Sequence, residues 1–135
     1  MERSLKVIYF KSMNILAIDF GTKNIGLAWS DTQIGVTLPF GVVHSMDDLV
    51  KVIKEERLDK IVVGLPVGVG GSGDFNIKRV KKFVSDLKEK TKVLVDYCDE
   101  RFSSQEADSM GGDATRDEKS AMVILEAYIS ENRLK

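Results

Sequence analysis

One carboxylate stands at the end of a short apolar run near the start of this chain. Residues 15–18 (Ile-Leu-Ala-Ile) predict a buried β-strand, and Asp19 closes it. Gly21 then allows a tight turn and residues 25–30 form a second strand, so the segment predicts a β-hairpin. Because a charge at such an edge costs several kcal/mol unless it is compensated, we expect a metal ion or a hydrogen-bond network beside Asp19.

Length and composition indicate one globular domain. With 135 residues, 43% of them hydrophobic and 30% charged, the chain can bury a core but is too short for two domains. We expect residues 1–13 to be an N-terminal extension and residues 14–135 to be a single domain. No run approaches the roughly 18 apolar residues of a membrane span. The lone Cys98 excludes an intrachain disulfide and suits a reducing cytoplasm, and the net charge of −1 gives no global attraction to nucleic acid.

Strands and helices alternate after the hairpin. The pattern predicts further strands at residues 35–43, 60–64 and 92–97. It also predicts one helix that begins at Ser45 and a second helix at residues 75–90. Capping boxes at 103–106 and 115–118 predict the starts of two last helices. A hairpin followed by two crossover connections gives an α/β fold, with a mixed five-stranded sheet flanked by helices. This outline is RNase-H-like.

Three carboxylates fall at positions that such a fold brings together. Asp19 ends the first strand, Glu100 follows the fifth, and Asp117 lies in the first turn of the last helix. The carboxyl ends of parallel strands share one edge of a sheet, and clustered carboxylates repel each other without a cation. Hard oxygen ligands suit Mg²⁺ or Mn²⁺, which support phosphodiester hydrolysis. Each residue also has a structural alternative: a turn for Asp19, an ion pair for Glu100, and a helix-dipole charge for Asp117.

Four collinear segments carry a resemblance to a known family. They are AIDFGTKNIG (17–26), IVVGLP (61–66), DER (99–101) with Ser103 and Ser104, and Asp117 followed by Ser120, Ala121, Ile124, Leu125 and Tyr128. Together they resemble the YqgF family of RNase-H-fold proteins, described as Holliday junction resolvases and as pre-16S rRNA nucleases. The resemblance covers nearly the whole chain from residue 14 to about residue 129.

The resemblance implies roles for individual residues. Asp19, Glu100 and Asp117 would carry a chemistry that depends on Mg²⁺ or Mn²⁺, and Arg101 would orient Glu100 or a phosphate. Many RNase-H-fold nucleases have a fourth acidic residue near the last helix, which here would have to be Asp113 or Glu118. Contacts to the nucleic-acid backbone are expected from three basic residues: Lys23, Arg79 and Lys82.

Basic residues are also concentrated in the helix at 78–90, where Lys and Arg outnumber Asp and Glu. This face is either an ordinary solvated surface or a track that leads phosphates toward the carboxylates.

Three functions are consistent with these observations. The first is a metal-dependent endonuclease of the cytoplasm, which acts on structured nucleic acid as a monomer or homodimer. We expect no association of this enzyme with a membrane. Its expected reaction is 5′-end processing of pre-16S rRNA, ahead of Holliday junction resolution. The second is an ATP-handling domain, because the Asp-x-Gly-Thr turn at residues 19–22 also occurs in actin-like phosphotransferases, which need two such domains. The third is a noncatalytic protein that binds nucleic acid.

Overall fold

The elements along the chain follow the predicted order. The computed structural model describes residues 13–21, 23–32, 35–65, 72–99 and 114–133, without the side chains of 72–75 and 132–133. Its strands are β1 (Asn14–Phe20), β2 (Ile25–Asp31), β3 (Val36–Val43), β4 (Lys60–Leu65) and β5 (Leu94–Asp99). Its helices are α1 (Met46–Glu55), α2 (Ser72–Lys90) and α3 (Arg116–Arg133). No helix within these ranges is long and apolar enough to cross a membrane.

Several boundaries differ from the sequence prediction by one to three residues. Strand β1 continues through Asp19 to Phe20, because the hairpin closes one residue later, where the Gly21 N–H donates to the Asn24 carbonyl at 3.0 Å. Helix α2 begins at Ser72 rather than at residue 75, since its glycine-containing first turn hides the apolar period. Strand β5 lies two residues further along than expected. Several predictions lie outside the described residues: the extension (13 excepted), the helix at 103–106, Glu100, Arg101 and Asp113.

The predicted mixed sheet is confirmed. Five strands lie in the order β3-β2-β1-β4-β5. The pairs β1–β2 and β2–β3 are antiparallel, whereas β1–β4 and β4–β5 are parallel. The carboxyl ends of β1, β4 and β5 therefore share one edge of the sheet.

Each face of the sheet has its own core, and this decides where the side chains of β1 point. Leu16 and Ile18 pack in a cluster with the buried residues of α1 and α2. Ile15 and Ala17 pack in a second cluster with the buried residues of α3. Because strand side chains alternate between faces, Asp19 continues the α3 face and Phe20 the opposite face.

A hydrogen-bonded network of three side chains ties α3 to the sheet away from this edge. The Tyr128 hydroxyl donates to Asp96 Oδ2 and accepts from Lys60 Nζ, both at 2.7 Å. The hydrogen bond from Tyr128 is the main cause that holds the pKa of Asp96 below its ordinary value. A carboxyl with a lowered folded pKa stabilises the fold above its ordinary pKa, and this stabilisation is lost as the pH falls through the folded value.

Tyr128→Phe is therefore expected to lower the free energy of unfolding by about 1–2 kcal/mol at neutral pH, because Tyr128 is buried and its hydroxyl joins two charged partners. Urea denaturation of both proteins between pH 7 and pH 3 measures this. The difference should shrink in the acidic range, where Asp96 becomes protonated in both states. A difference that stays constant down to pH 3 would show that the bond to Asp96 does not carry it.

Candidate active site

Asp19 lies at the shared edge, directly opposite a glycine of the neighbouring strand. In the antiparallel register of β1 and β2, Asp19 pairs with Gly26. Residues that pair in this way project to the same face, with Cβ atoms about 4.5–5.5 Å apart. The half-buried Asp19 side chain therefore lies on the face of the sheet toward which a side chain at position 26 would project.

The start of α3 occupies that space. A Cβ atom built on Gly26 would lie 2.1 Å from the carbonyl oxygen of Asp117 and 2.9 Å from its Cβ. Only glycine permits this approach of helix to strand. The Cβ atoms of Asp19 and Asp117 are therefore at most about 8 Å apart. Asp19 and Asp117 thus lie at the same end of the sheet although most of the sequence separates them, and the joint role of their carboxylates stays a prediction.

Glu118 fixes the first turn of α3 that carries Asp117. Its Oε1 accepts hydrogen bonds from the Thr115 N–H at 2.9 Å and the Thr115 hydroxyl at 3.0 Å, while Thr115 Oγ1 accepts from the Glu118 N–H at 3.1 Å. This is the predicted capping box. Glu118 Oε2 also accepts from the Gly41 N–H of β3 at 2.7 Å. Both oxygens of Glu118 thus accept backbone hydrogen bonds, and they hold the first turn of α3 against β3.

The donor set at this edge fits a hard divalent cation in part. Asp19 and Asp117 bring two carboxylates to this end of the sheet, and carboxylate oxygens are the ligands that Mg²⁺ and Mn²⁺ prefer. Within the described ranges no group of three or more His, Cys, Asp or Glu side chains is arranged to hold a metal. The third expected ligand, Glu100, follows directly on Asp99, the last residue of β5, but lies outside those ranges.

The opposite face of the same edge holds a cavity of about 410 Å³, which we call the edge cavity. Its apolar wall is formed by Phe20, Ile25, Met46 and Phe83, and its polar lining includes His44 and the charged residues Lys23, Arg79, Lys82 and Asp86. The rings of Phe20 and Phe83 stack at a centroid distance of 4.2 Å. The Arg79 guanidinium carbon lies 5.6 Å from the centroid of the Phe20 ring.

All three described residues that the sequence suggested as backbone contacts line this cavity. Lys23 and Lys82 are exposed, and Arg79 is half-buried. No sequence pattern marks His44, whose Nδ1 lies 3.4 Å from the Lys23 carbonyl oxygen in the cavity wall. The aromatic wall was also missed, because Phe20 and Phe83 follow the core pattern of their elements and nothing in that pattern distinguishes a cavity wall from a core.

The fold is that of the RNase-H-like α/β proteins. Its sheet and helices superpose on RuvC from T. thermophilus, solved with a Holliday junction substrate, with a TM-score of 0.67 and 12% identity over 90% of this chain and 96% of that one. The family described as "RuvX: Holliday junction resolvase" matches residues 13–131, and the chain belongs to this family.

Curated relatives carry a second name. A Bacteroides fragilis protein, "Putative pre-16S rRNA nuclease", is 35% identical over 89% of this chain and 98% of its own length. A Maridesulfovibrio salexigens protein of the same name is 29% identical over 87% of this chain and 98% of its own. Both the family description and these names belong to hydrolases of nucleic-acid ester bonds, which confirms the expected class of enzyme.

Proposed function

We propose that residues 14–135 form a single nuclease domain that hydrolyses phosphodiester bonds in the 5′ leader of pre-16S rRNA, and that residues 1–13 take no part. The observation that supports this proposal is the close approach of Asp117 to Gly26, which brings the start of α3 to the strand pair that carries Asp19. The relatives' name points to the RNA substrate.

The proposed site consists of Asp19, Asp117 and Glu100. These three carboxylates would hold Mg²⁺ or Mn²⁺, which when bound supplies positive charge beside the phosphodiester and makes water more acidic. The residues of the chain itself position the two carboxylates: Asp19 is fixed near the carboxyl end of β1, and Asp117 is fixed by the capping box of α3. In the proposed reaction the oxygen of water bonds to phosphorus and the bond from phosphorus to the 3′ oxygen breaks. That oxygen takes up a proton, so the products end in 5′-phosphate and 3′-hydroxyl.

Phosphate contacts are proposed for the basic residues around the site. Lys23, Arg79 and Lys82 line the edge cavity beside β1, and Arg101 follows the proposed ligand Glu100. Cations at these positions would neutralise backbone phosphates and make binding depend steeply on salt. A cytoplasmic location agrees with the single cysteine and with this substrate.

A specific observation also favours a second substrate, since the family description names Holliday junction resolution. A resolvase must cut two strands related by symmetry, so it would act as a homodimer, whereas a processing enzyme for one RNA strand can act as a monomer.

Cleavage of two labelled substrates tests the proposal and separates these readings. A precursor 16S leader RNA and a four-way DNA junction are incubated with the protein in Mg²⁺, in Mn²⁺ and in EDTA, with Asp19→Asn protein as the control for contaminating nucleases. We expect cleavage of the RNA at defined positions, dependent on the metal. Symmetric cutting of the junction alone would establish the resolvase. Binding of both substrates without cleavage would establish a noncatalytic nucleic-acid-binding protein.

A further inference from the structure

We propose that the edge cavity binds one unpaired nucleotide of the substrate strand, beside the bond that is cleaved. The proposal deepens the proposed function and rests on it for the identity of the strand. Binding to the cavity itself requires no cleavage, so the two can fail separately.

The charge of the described cavity wall suits a phosphate. Lys23, Arg79 and Lys82 contribute three cations, against one carboxylate from Asp86. Lys82 Nζ lies 3.6 Å from Asp86 Oδ2, with 79% of the lysine side chain and 45% of the aspartate side chain exposed. A surface pair of this kind is weak, so a phosphate can compete for the lysine. The cavity therefore has cationic capacity beyond what Asp86 neutralises.

The remaining surface of the cavity suits a base and its sugar. Phe83 and Ile25 are almost fully buried, and together with Met46 they form an apolar wall behind the cationic residues. Arg79 is held over the Phe20 ring, and a planar guanidinium fixed in this way is a surface on which nucleic-acid bases stack. A bare phosphate would leave this apolar wall uncovered, whereas a nucleotide uses both parts of the cavity.

Position and size determine that the nucleotide is unpaired and next to the site. Phe20 follows Asp19 directly in β1, so the cavity and the carboxylates lie on opposite faces of one sheet edge. A strand that crosses this edge can place one phosphate beside Asp19 and its neighbouring nucleotide in the cavity. A volume of about 410 Å³ accepts one nucleotide but no base pair, so a paired base would first have to leave its duplex.

Binding of uridine 5′-monophosphate tests the inference in the cleavage-deficient Asp19→Asn protein. Methyl NMR signals of the methionines are followed, because Met46 lines the cavity and Met122 packs on the other face of the sheet. We expect the Met46 signal to shift with saturation and the Met122 signal to stay in place. Arg79→Gln and Lys82→Gln should each weaken binding about tenfold, and Arg79→Lys should bind more tightly than Arg79→Gln but less tightly than the parent, because lysine keeps the charge and loses the planar stacking surface.

The matched control is Lys81→Gln, since Lys81 is an exposed lysine of the same helix that does not line the cavity. It should leave the affinity within about twofold of the parent protein. Equal losses in Lys81→Gln and Lys82→Gln, or a Met46 signal that never shifts, would overturn the inference.

Cleavage kinetics separate the inference from the proposed function. In the otherwise wild-type protein, Lys82→Gln should raise KM for a substrate that is single-stranded beside the cut and leave kcat nearly unchanged. Nucleotide binding in the cavity of a protein that cleaves neither substrate would refute the proposed function and leave the cavity assigned. Cleavage by a protein whose cavity binds no nucleotide would support the proposed function and refute the assignment of the cavity.

Discussion

Asp19→Asn is expected to reduce the cleavage rate about 10³-fold or more while the protein stays folded. Asparagine has the shape of aspartate but no negative charge, so it is a poor ligand for a hard cation. Because asparagine keeps the size of the aspartate side chain at the end of β1, the free energy of unfolding in the absence of metal should stay within about 1 kcal/mol of the wild-type value. Single-turnover cleavage and urea denaturation measure the two effects.

Metal binding gives this prediction a readout that does not depend on the substrate. Addition of Mn²⁺ should raise the Tm of the wild-type protein and have little effect on Asp19→Asn. Asp99→Asn is the matched control, because Asp99 ends β5 at the same end of the sheet, is exposed, and lies on the sheet face opposite to that of Asp19. It should change cleavage far less than Asp19→Asn. Equal effects of the two variants would mean that the face of β1 toward α3 has no special role.

The sequence was sufficient to predict the mixed five-stranded sheet and the position of Asp19 near the carboxyl end of β1. Apolar runs separated by turn residues mark the strands, and the rule that parallel strands share an edge places Asp19 near the elements that follow. The capping box at Thr115 marks the start of α3 to the residue. These signals are local, and each depends on only a few neighbouring residues.

The edge cavity and the role of Glu118 could not be predicted in the same way. Glu118 looked like a candidate fourth ligand, but one of its oxygens accepts from the Gly41 N–H of β3, 77 residues away in sequence. Gly41 has a φ of +113°, and the β2–β3 register shifts between Leu27 and Ala28. Irregularities of this kind depend on tertiary packing, so no periodic pattern in the sequence predicts them.

The role of Gly26 also depends on tertiary packing. In the sequence it is an ordinary glycine of a hairpin, but in the structure it is the point where α3 contacts the sheet. Gly26→Ala should lower the free energy of unfolding by about 3 kcal/mol. The added methyl carbon would lie 2.1 Å from the carbonyl oxygen of Asp117, which belongs to the backbone and cannot rotate away. Either the strand or the helix must move, and the capping box with its bond to β3 resists movement of the helix. Urea denaturation measures the loss.

The same displacement should reduce cleavage about 100-fold in protein that is still folded, since a shift of about 1 Å at a reacting group costs this much. Leu125→Ala is the matched control: Leu125 is fully buried on α3, and its truncation should cost about 2–5 kcal/mol without a collision at Asp117. We expect Leu125→Ala to keep most of its activity at temperatures where it is folded. If the two variants lose stability and activity in the same proportion, activity follows the folded fraction alone, and the approach of Asp117 to Asp19 is not what makes this edge an active site.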